Sequence, residues 1–141
     1  FGKVNTQTIM QALPDVAKVQ GELSALQKQK ENDLKSMQDE LQRKADEYQK
    51  GASTMNATAK QQKETELQSL QQKFQQALQD AQQEMQKKQS ELMQPVYAKV
   101  TAAIEAVGKA GNYTFIFEDG AAVYAGTNVV DVTKEVQSKI K

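Results

Sequence analysis

The sequence has no cysteine and no histidine among its 141 residues. Without thiols there is no disulfide, no thiolate nucleophile and no zinc–thiolate centre, and the redox compartment stays open. Without imidazole the usual general base near neutral pH and the commonest transition-metal ligand are missing too. Aromatic residues make up only 6% of the chain and hydrophobic residues 38%, too little apolar bulk for a large compact core. Basic and acidic side chains number 18 each, so no net field draws the chain to nucleic acid. No apolar run approaches the length of a membrane span, and no stretch reads as a signal peptide.

These absences leave no catalytic group, metal ligand or cofactor site to expect, and the chain is not expected to be an enzyme. The carboxylate pairs Asp39-Glu40 and Asp46-Glu47 lie on solvated helix faces beside Arg43, Lys44 and Lys50. Gly108-Lys109-Ala110-Gly111 falls at a helix C-terminus, the wrong end for an anion.

What is present is helical periodicity. Val16, Val19, Leu23, Leu26, Leu34, Met37, Leu41 and Tyr48 are spaced by threes and fours, with Lys30 interrupting the row. Leu67, Leu70, Phe74, Leu78, Ala81, Met85 and Leu92 form a second row. Each row contains one four-residue stutter, around Lys30 in the first and between Phe74 and Leu78 in the second. If the halves pair antiparallel about residue 54, Leu41 meets Leu67, Leu34 meets Phe74, Lys30 meets Leu78 and Leu23 meets Met85, so the two faults face each other. That mirror symmetry predicts an intramolecular hairpin, an arm over 16–95 turning at 51–56 and reaching about 50 Å. Gly51 suits a C-cap, and Asn56, or Thr58 with Gln61, can start the return helix.

Residues 1–15 and 96–141 are expected to form a β-containing base. Phe1 to Asn5 reads as a strand and Thr6 to Leu13 as a short helix. Pro14 suits the first turn of the arm, and Pro95, inside the return helix, falls at the same level, so both prolines are hinge candidates. Gly111-Asn112 reads as a helix stop. Beyond it the period changes to 2: Tyr113 to Glu118 reads as a strand buried on both faces, Asp119-Gly120 as a hairpin turn, and Ala121 to Ala125 as the returning strand. Asp131 can cap a last helix carrying Val132, Val136 and Ile140. Three short strands with exposed edges are not stable alone, which predicts an oligomer joined through the base.

The fold class is thus α+β, mainly α, with a long antiparallel coiled-coil hairpin on a small β-barrel-like oligomerisation base. Lys3-Val4-Asn5-Thr6-Gln7-Thr8-Ile9-Met10, a proline, a charged and Gln-rich hairpin, Tyr113-Thr114-Phe115-Ile116-Phe117, Ala122-Val123-Tyr124 and Asp131-Val132-Thr133 together resemble the Skp/OmpH family of periplasmic chaperones. The resemblance implies a homotrimer whose base strands come from all three chains, with helical arms around a cavity. It further implies ATP-independent holding of unfolded outer-membrane β-barrel proteins in a Gram-negative periplasm. Val4, Phe115, Phe117, Val123 and Tyr124 are then the expected trimer contacts. Family members are strongly basic while this chain is neutral, which removes the basis for attraction of clients by charge and for lipopolysaccharide or membrane binding.

Tyr48 and Met55, near the turn, are candidate client contacts, whereas Met37 and Met85 lie in the seam and are expected to be buried. The rival reading is a structural or adaptor protein using the hairpin as spacer or docking rod. Continuous ideal heptads would favour a rod; matched stutters favour an arm that bends.

Overall fold

The computed structural model describes residues 1–140. In chain order the elements are β1 (Gly2–Val4), α1 (Thr6–Ala12), α2 (Pro14–Gly51), a 3₁₀ turn (Ala52–Thr54), α3 (Ala57–Ala110), β2 (Ile116–Glu118), β3 (Val130–Asp131) and α4 (Thr133–Lys139). No helix among the described residues is long and apolar enough to cross a membrane. Two compact units are present: Phe1–Gly21 with the chain from Gln89 onward, and Glu22–Lys88.

In the first unit β1 is the central strand of an all-parallel sheet of order β2-β1-β3. Gly2 pairs with Ile116 on one side and Val130 on the other, and Lys3 with Phe117 and Asp131. Val4, Ile9, Val132 and Val136 pack against Val100, Ala103 and Val107, which recur every three or four residues along α3. Side-chain hydrogen bonds fix the joints. Asn5 Oδ1 accepts from the Thr8 amide at 3.0 Å, capping α1, and Glu118 Oε1 accepts from the Thr6 amide at 2.9 Å. Asp131 accepts from both the Thr133 amide and hydroxyl, and Thr133 Oγ1 in turn accepts from the Asn5 amide at 3.0 Å. The Asp-Val-Thr triplet therefore ties the start of α4 to the end of β1.

Helix α3 stops as expected at Gly111-Asn112. The Tyr113 amide donates to the Gly108 carbonyl at 3.0 Å and the Asn112 amide to that of Lys109, with Asn112 in the left-handed region at φ 54°. This is a Schellman closure with asparagine where glycine is commoner. Glycine is needed one residue earlier, where a Cβ on Gly111 would lie 2.5 Å from the Tyr113 ring.

The sequence-based strand assignments need correction. Tyr113 does not join Phe115 and Phe117 on one face; the helix stop turns it onto the core. Phe115 and Phe117 are exposed, so this segment is not buried on both sides in the chain. Asp119-Gly120 does form a turn, with Gly120 at φ +86° and the Ala121 amide bonded to the Glu118 carbonyl. Ala121 to Ala125, however, is not a strand; the third strand is β3, parallel to β1. The expected hairpin would pair Ala121 to Ala125 with β2, but β2 pairs with β1 alone and stays an edge strand of the sheet.

In the second unit α2 and α3 run antiparallel. Asn56 is the cap of α3, its Oδ1 accepting from the Ala59 amide at 2.8 Å. The inward positions on α3 are Leu67, Leu70, Phe74, Ala77, Ala81 and Met85, all half-buried, while Leu78 is 38% exposed. The stutter therefore lies between Ala81 and Met85 and not between Phe74 and Leu78. Leu outweighs Ala in any hydrophobic reading, yet Ala77 keeps the three-four alternation that Leu78 would break. On α2 the half-buried row is Leu23, Leu26, Lys30, Leu34, Met37 and Leu41. The two rows mirror one another when Lys30 faces Ala81, Leu26 faces Met85, Leu34 faces Ala77 and Met37 faces Phe74. The faults remain opposite one another, in a shifted register. Lys30 Nζ meets Glu84 Oε2 at 2.6 Å, which is the reach this register gives it.

Candidate functional site

Two surfaces carry the candidate residues, one in each unit. On the sheet, alternation along β1 and β2 sends Val4 inward and sends Phe1, Phe115 and Phe117 to the opposite face. Val4 is 3% exposed and belongs to the core of its own subunit, which leaves it no surface for a partner. The Phe115 ring stacks on both others, with centroids 5.9 Å from Phe1 and 5.6 Å from Phe117, while Phe1 and Phe117 are tilted to each other at 6.4 Å. Parallel sheets are normally covered on both faces, and this face carries only its own rings. Phe1 was not singled out from the sequence. The signal available was its place one residue before β1, on the side of the strand that does not carry Val4.

Beside these rings, Val123 and Tyr124 stand in the segment after the Asp119-Gly120 turn, with Val123 fully exposed and Tyr124 84% exposed. Together with Phe117, Tyr124 lines a shallow cavity whose other wall is Phe1 to Lys3. Contiguous exposed apolar patches are, as a class, where proteins meet partners.

Near the hairpin turn, Tyr48 and Met55 line one cavity of about 250 Å³ with Lys44, Lys63, Glu66 and Leu67. The sequence named the first two separately; the 3₁₀ turn brings them together. The Tyr48 hydroxyl donates to Glu64 Oε1, and this bond holds its proton on, raising the phenol above its usual range. Lys44 lies 2.6 Å from Glu66, and that hydrogen-bonded pair raises the lysine and lowers the carboxylate. The cavity's charges are thus largely satisfied within the chain, leaving an adaptable apolar centre at Met55. Met37 and Met85 are half-buried in the seam.

Pro14 opens α2, where its missing amide costs nothing, and Pro95 lies within α3, which continues past it. At this level Lys99 Nζ meets Asp15 Oδ2 at 2.9 Å and lowers the aspartate. No group of His, Cys, Asp and Glu among the described residues could hold a metal ion.

Residues 1–140 match the family model described as outer membrane protein (OmpH-like). Among solved structures, one from Caulobacter crescentus named as an OmpH-like outer membrane chaperone superposes with a TM-score of 0.85 at 18% identity. The match covers 99% of this chain and 82% of that one, and at this identity it establishes a shared fold. No match is found among curated proteins.

Proposed function

The chain belongs to the OmpH-like outer membrane protein family, and on that premise we propose that it is a periplasmic, ATP-independent holdase for unfolded outer-membrane β-barrel proteins. It acts as a homotrimer, joined through the exposed sheet face. The observation that carries the reading is the uncovered apolar surface of Phe1, Phe115, Phe117, Val123 and Tyr124. A subunit with so small a core has no reason to leave five large apolar side chains in water unless other copies cover them. Phe115, Phe117, Val123 and Tyr124 are accordingly the trimer contacts.

The hairpins of three copies then bound a space for the client. Weak, replaceable contacts suffice there, because the mechanism is confinement: a held chain cannot meet another chain. Tyr48 and Met55 supply two such contacts near the turn. No nucleotide, metal or other cofactor enters the mechanism, nucleic acid is not a partner, and the neutral chain supplies no charge basis for membrane contact.

The test is dilution of a urea-unfolded outer-membrane β-barrel protein into buffer containing this protein and no nucleotide, followed by light scattering. Suppression of scattering near one trimer per client is the expected result. Unchanged scattering by a folded trimer removes the holdase reading and leaves the hairpin as a docking rod.

A further inference from the structure

Within the Glu22–Lys88 unit, two depressions between α2 and α3 join at Gln75 into one groove along one side of the hairpin. Its floor is apolar, formed by Leu34, Leu41, Leu67, Phe74, Leu78 and Met85. Its α3 rim is a row of carboxamides, Gln68, Gln71, Gln75, Gln79, Gln82 and Gln86, recurring every three or four residues on one helix face.

The state of these amides is informative. On the α2 rim Gln27 donates to Glu31 and Gln42 to Asp46, so those groups are engaged locally. Among the described residues the side chains of the six α3 rim glutamines make no hydrogen bond within the chain. The charged side chains lining the same groove each have a partner: Lys30 pairs with Glu84, Glu31 accepts from Gln27, and Glu64 accepts from the Tyr48 hydroxyl. What the groove offers is therefore an apolar floor beside groups that both donate and accept without a partner in the chain, with few charges, Lys30, Glu31 and Glu64, along it. That is the complement of an extended polypeptide backbone, which presents one donor and one acceptor per residue and no charge. It is not the complement of a phosphate, a lipid headgroup or an acidic segment.

We propose that this glutamine-rimmed groove is a client-binding track, holding an extended stretch of non-native polypeptide with apolar side chains on the floor and peptide groups against the α3 carboxamides. The inference rests on the holdase reading and adds the place and chemistry of contact. Rim amides recur at about 5 to 6 Å along the helix, whereas equivalent residues of an extended chain recur at about 6.8 Å. The two periods do not lock, so no client register is favoured and a held segment can slide. This explains how a neutral arm recognises clients without charge attraction: the contact is to what all unfolded chains share.

The experiment compares the wild-type trimer, a rim variant (Gln71→Glu, Gln75→Glu, Gln79→Glu) and a control carrying the same added charge away from the groove (Gln61→Glu, Gln62→Glu, Gln83→Glu). Binding of a fluorescently labelled, urea-unfolded outer-membrane β-barrel protein is measured after dilution at physiological salt. Replacing exposed glutamine by glutamate preserves helix propensity and size while removing donors, so both variants fold, as circular dichroism verifies. The rim variant is expected to bind about tenfold more weakly and the control less than about twofold. Equal losses in both, or none in the rim variant while the wild type binds, overturn the track and leave the holdase standing. Failure of the wild type itself to bind removes the holdase and the track with it. A change of oligomeric state in the rim variant without client identifies the groove as a contact between copies and also overturns the proposal.

Discussion

The sheet-bearing unit and the hairpin unit follow opposite patterns of burial. Among the described residues the nine buried hydrophobic ones, from Val4 to Val136, all fall in the first, and in Glu22–Lys88 no residue is buried. The first unit is held by close packing and by specific bonds such as Asn5 to Thr133. The second is held by a half-wet seam, helix propensity, and pairs such as Lys30–Glu84 and Lys44–Glu66. Packing that excludes water specifies a unique arrangement, whereas a seam in which no side chain is fully buried favours one packing over its neighbours less strongly. One unit is therefore built to keep a single shape and the other to adjust.

Three measurements break or sharpen that contrast. The largest effect is expected at the sheet face, where a Val123→Asp, Tyr124→Asp variant should sediment as a monomer with its helical circular dichroism retained; a persistent trimer would move the contact elsewhere. Next, Ile9→Ala, at a site 1% exposed, should cost about 2 to 5 kcal/mol in urea denaturation. Leu34→Ala in the half-buried seam should cost less, about 1 to 2 kcal/mol, because water already reaches that position. Equal costs would mean that the seam is as dry as the core.

The smallest effect is in the pH profile. Asp15, Glu66 and Asp131 are lowered, chiefly by hydrogen bonds from Lys99, Lys44 and Thr133 respectively. Their folded values lie below their unfolded ones, so the stability they contribute is present above the ordinary carboxylate range and is lost as pH falls through the folded values. Lys30 and Lys44 are raised, chiefly by hydrogen bonds to Glu84 and Glu66, so their contribution is present below the ordinary lysine value and is lost as pH rises through the folded one. Added salt should shrink the shares of Lys30, Lys44, Glu66 and Asp15, which come from exposed ion pairs, and should leave the share of Asp131, which comes from Thr133. A salt response of Asp131 as large as that of the ion pairs would undo the distinction.

Much of the fold could be read from the sequence, because helices declare themselves locally. The rows from Val16 to Tyr48 and from Leu67 to Leu92, the asparagine cap at Asn56 and the stop at Gly111-Asn112 depend on neighbours within a few positions. The register did not, because a three-four pattern leaves the choice between Ala77 and Leu78 to the partner helix. The sheet was the least legible. A strand such as Val130–Asp131 is too short to carry a period, and its parallel pairing with β1 joins residues at opposite ends of the sequence. Of the candidate residues, Tyr48 and Met55 could be named from their nearness to the turn, but their shared cavity could not. Val4 was misplaced because a valine in a strand has the same appearance whether it faces its own core or a neighbour. The rim of the groove was visible as a glutamine-rich stretch, but composition alone does not reveal which amides are left unengaged.

The central position of β1 has a kinetic consequence. Gly2–Val4 can pair only after Ile116–Glu118 and Val130–Asp131 exist, so the sheet is among the last structures a growing chain completes. Joining such distant segments by random search would be slow. Helices nucleate in microseconds or less, however, and folding α2 against α3 returns the chain toward its starting point and shortens that search. The hairpin is therefore also the scaffold on which its own anchor is assembled. Because the apolar sheet face forms only when the subunit is complete, unfinished chains lack the surface proposed to join copies.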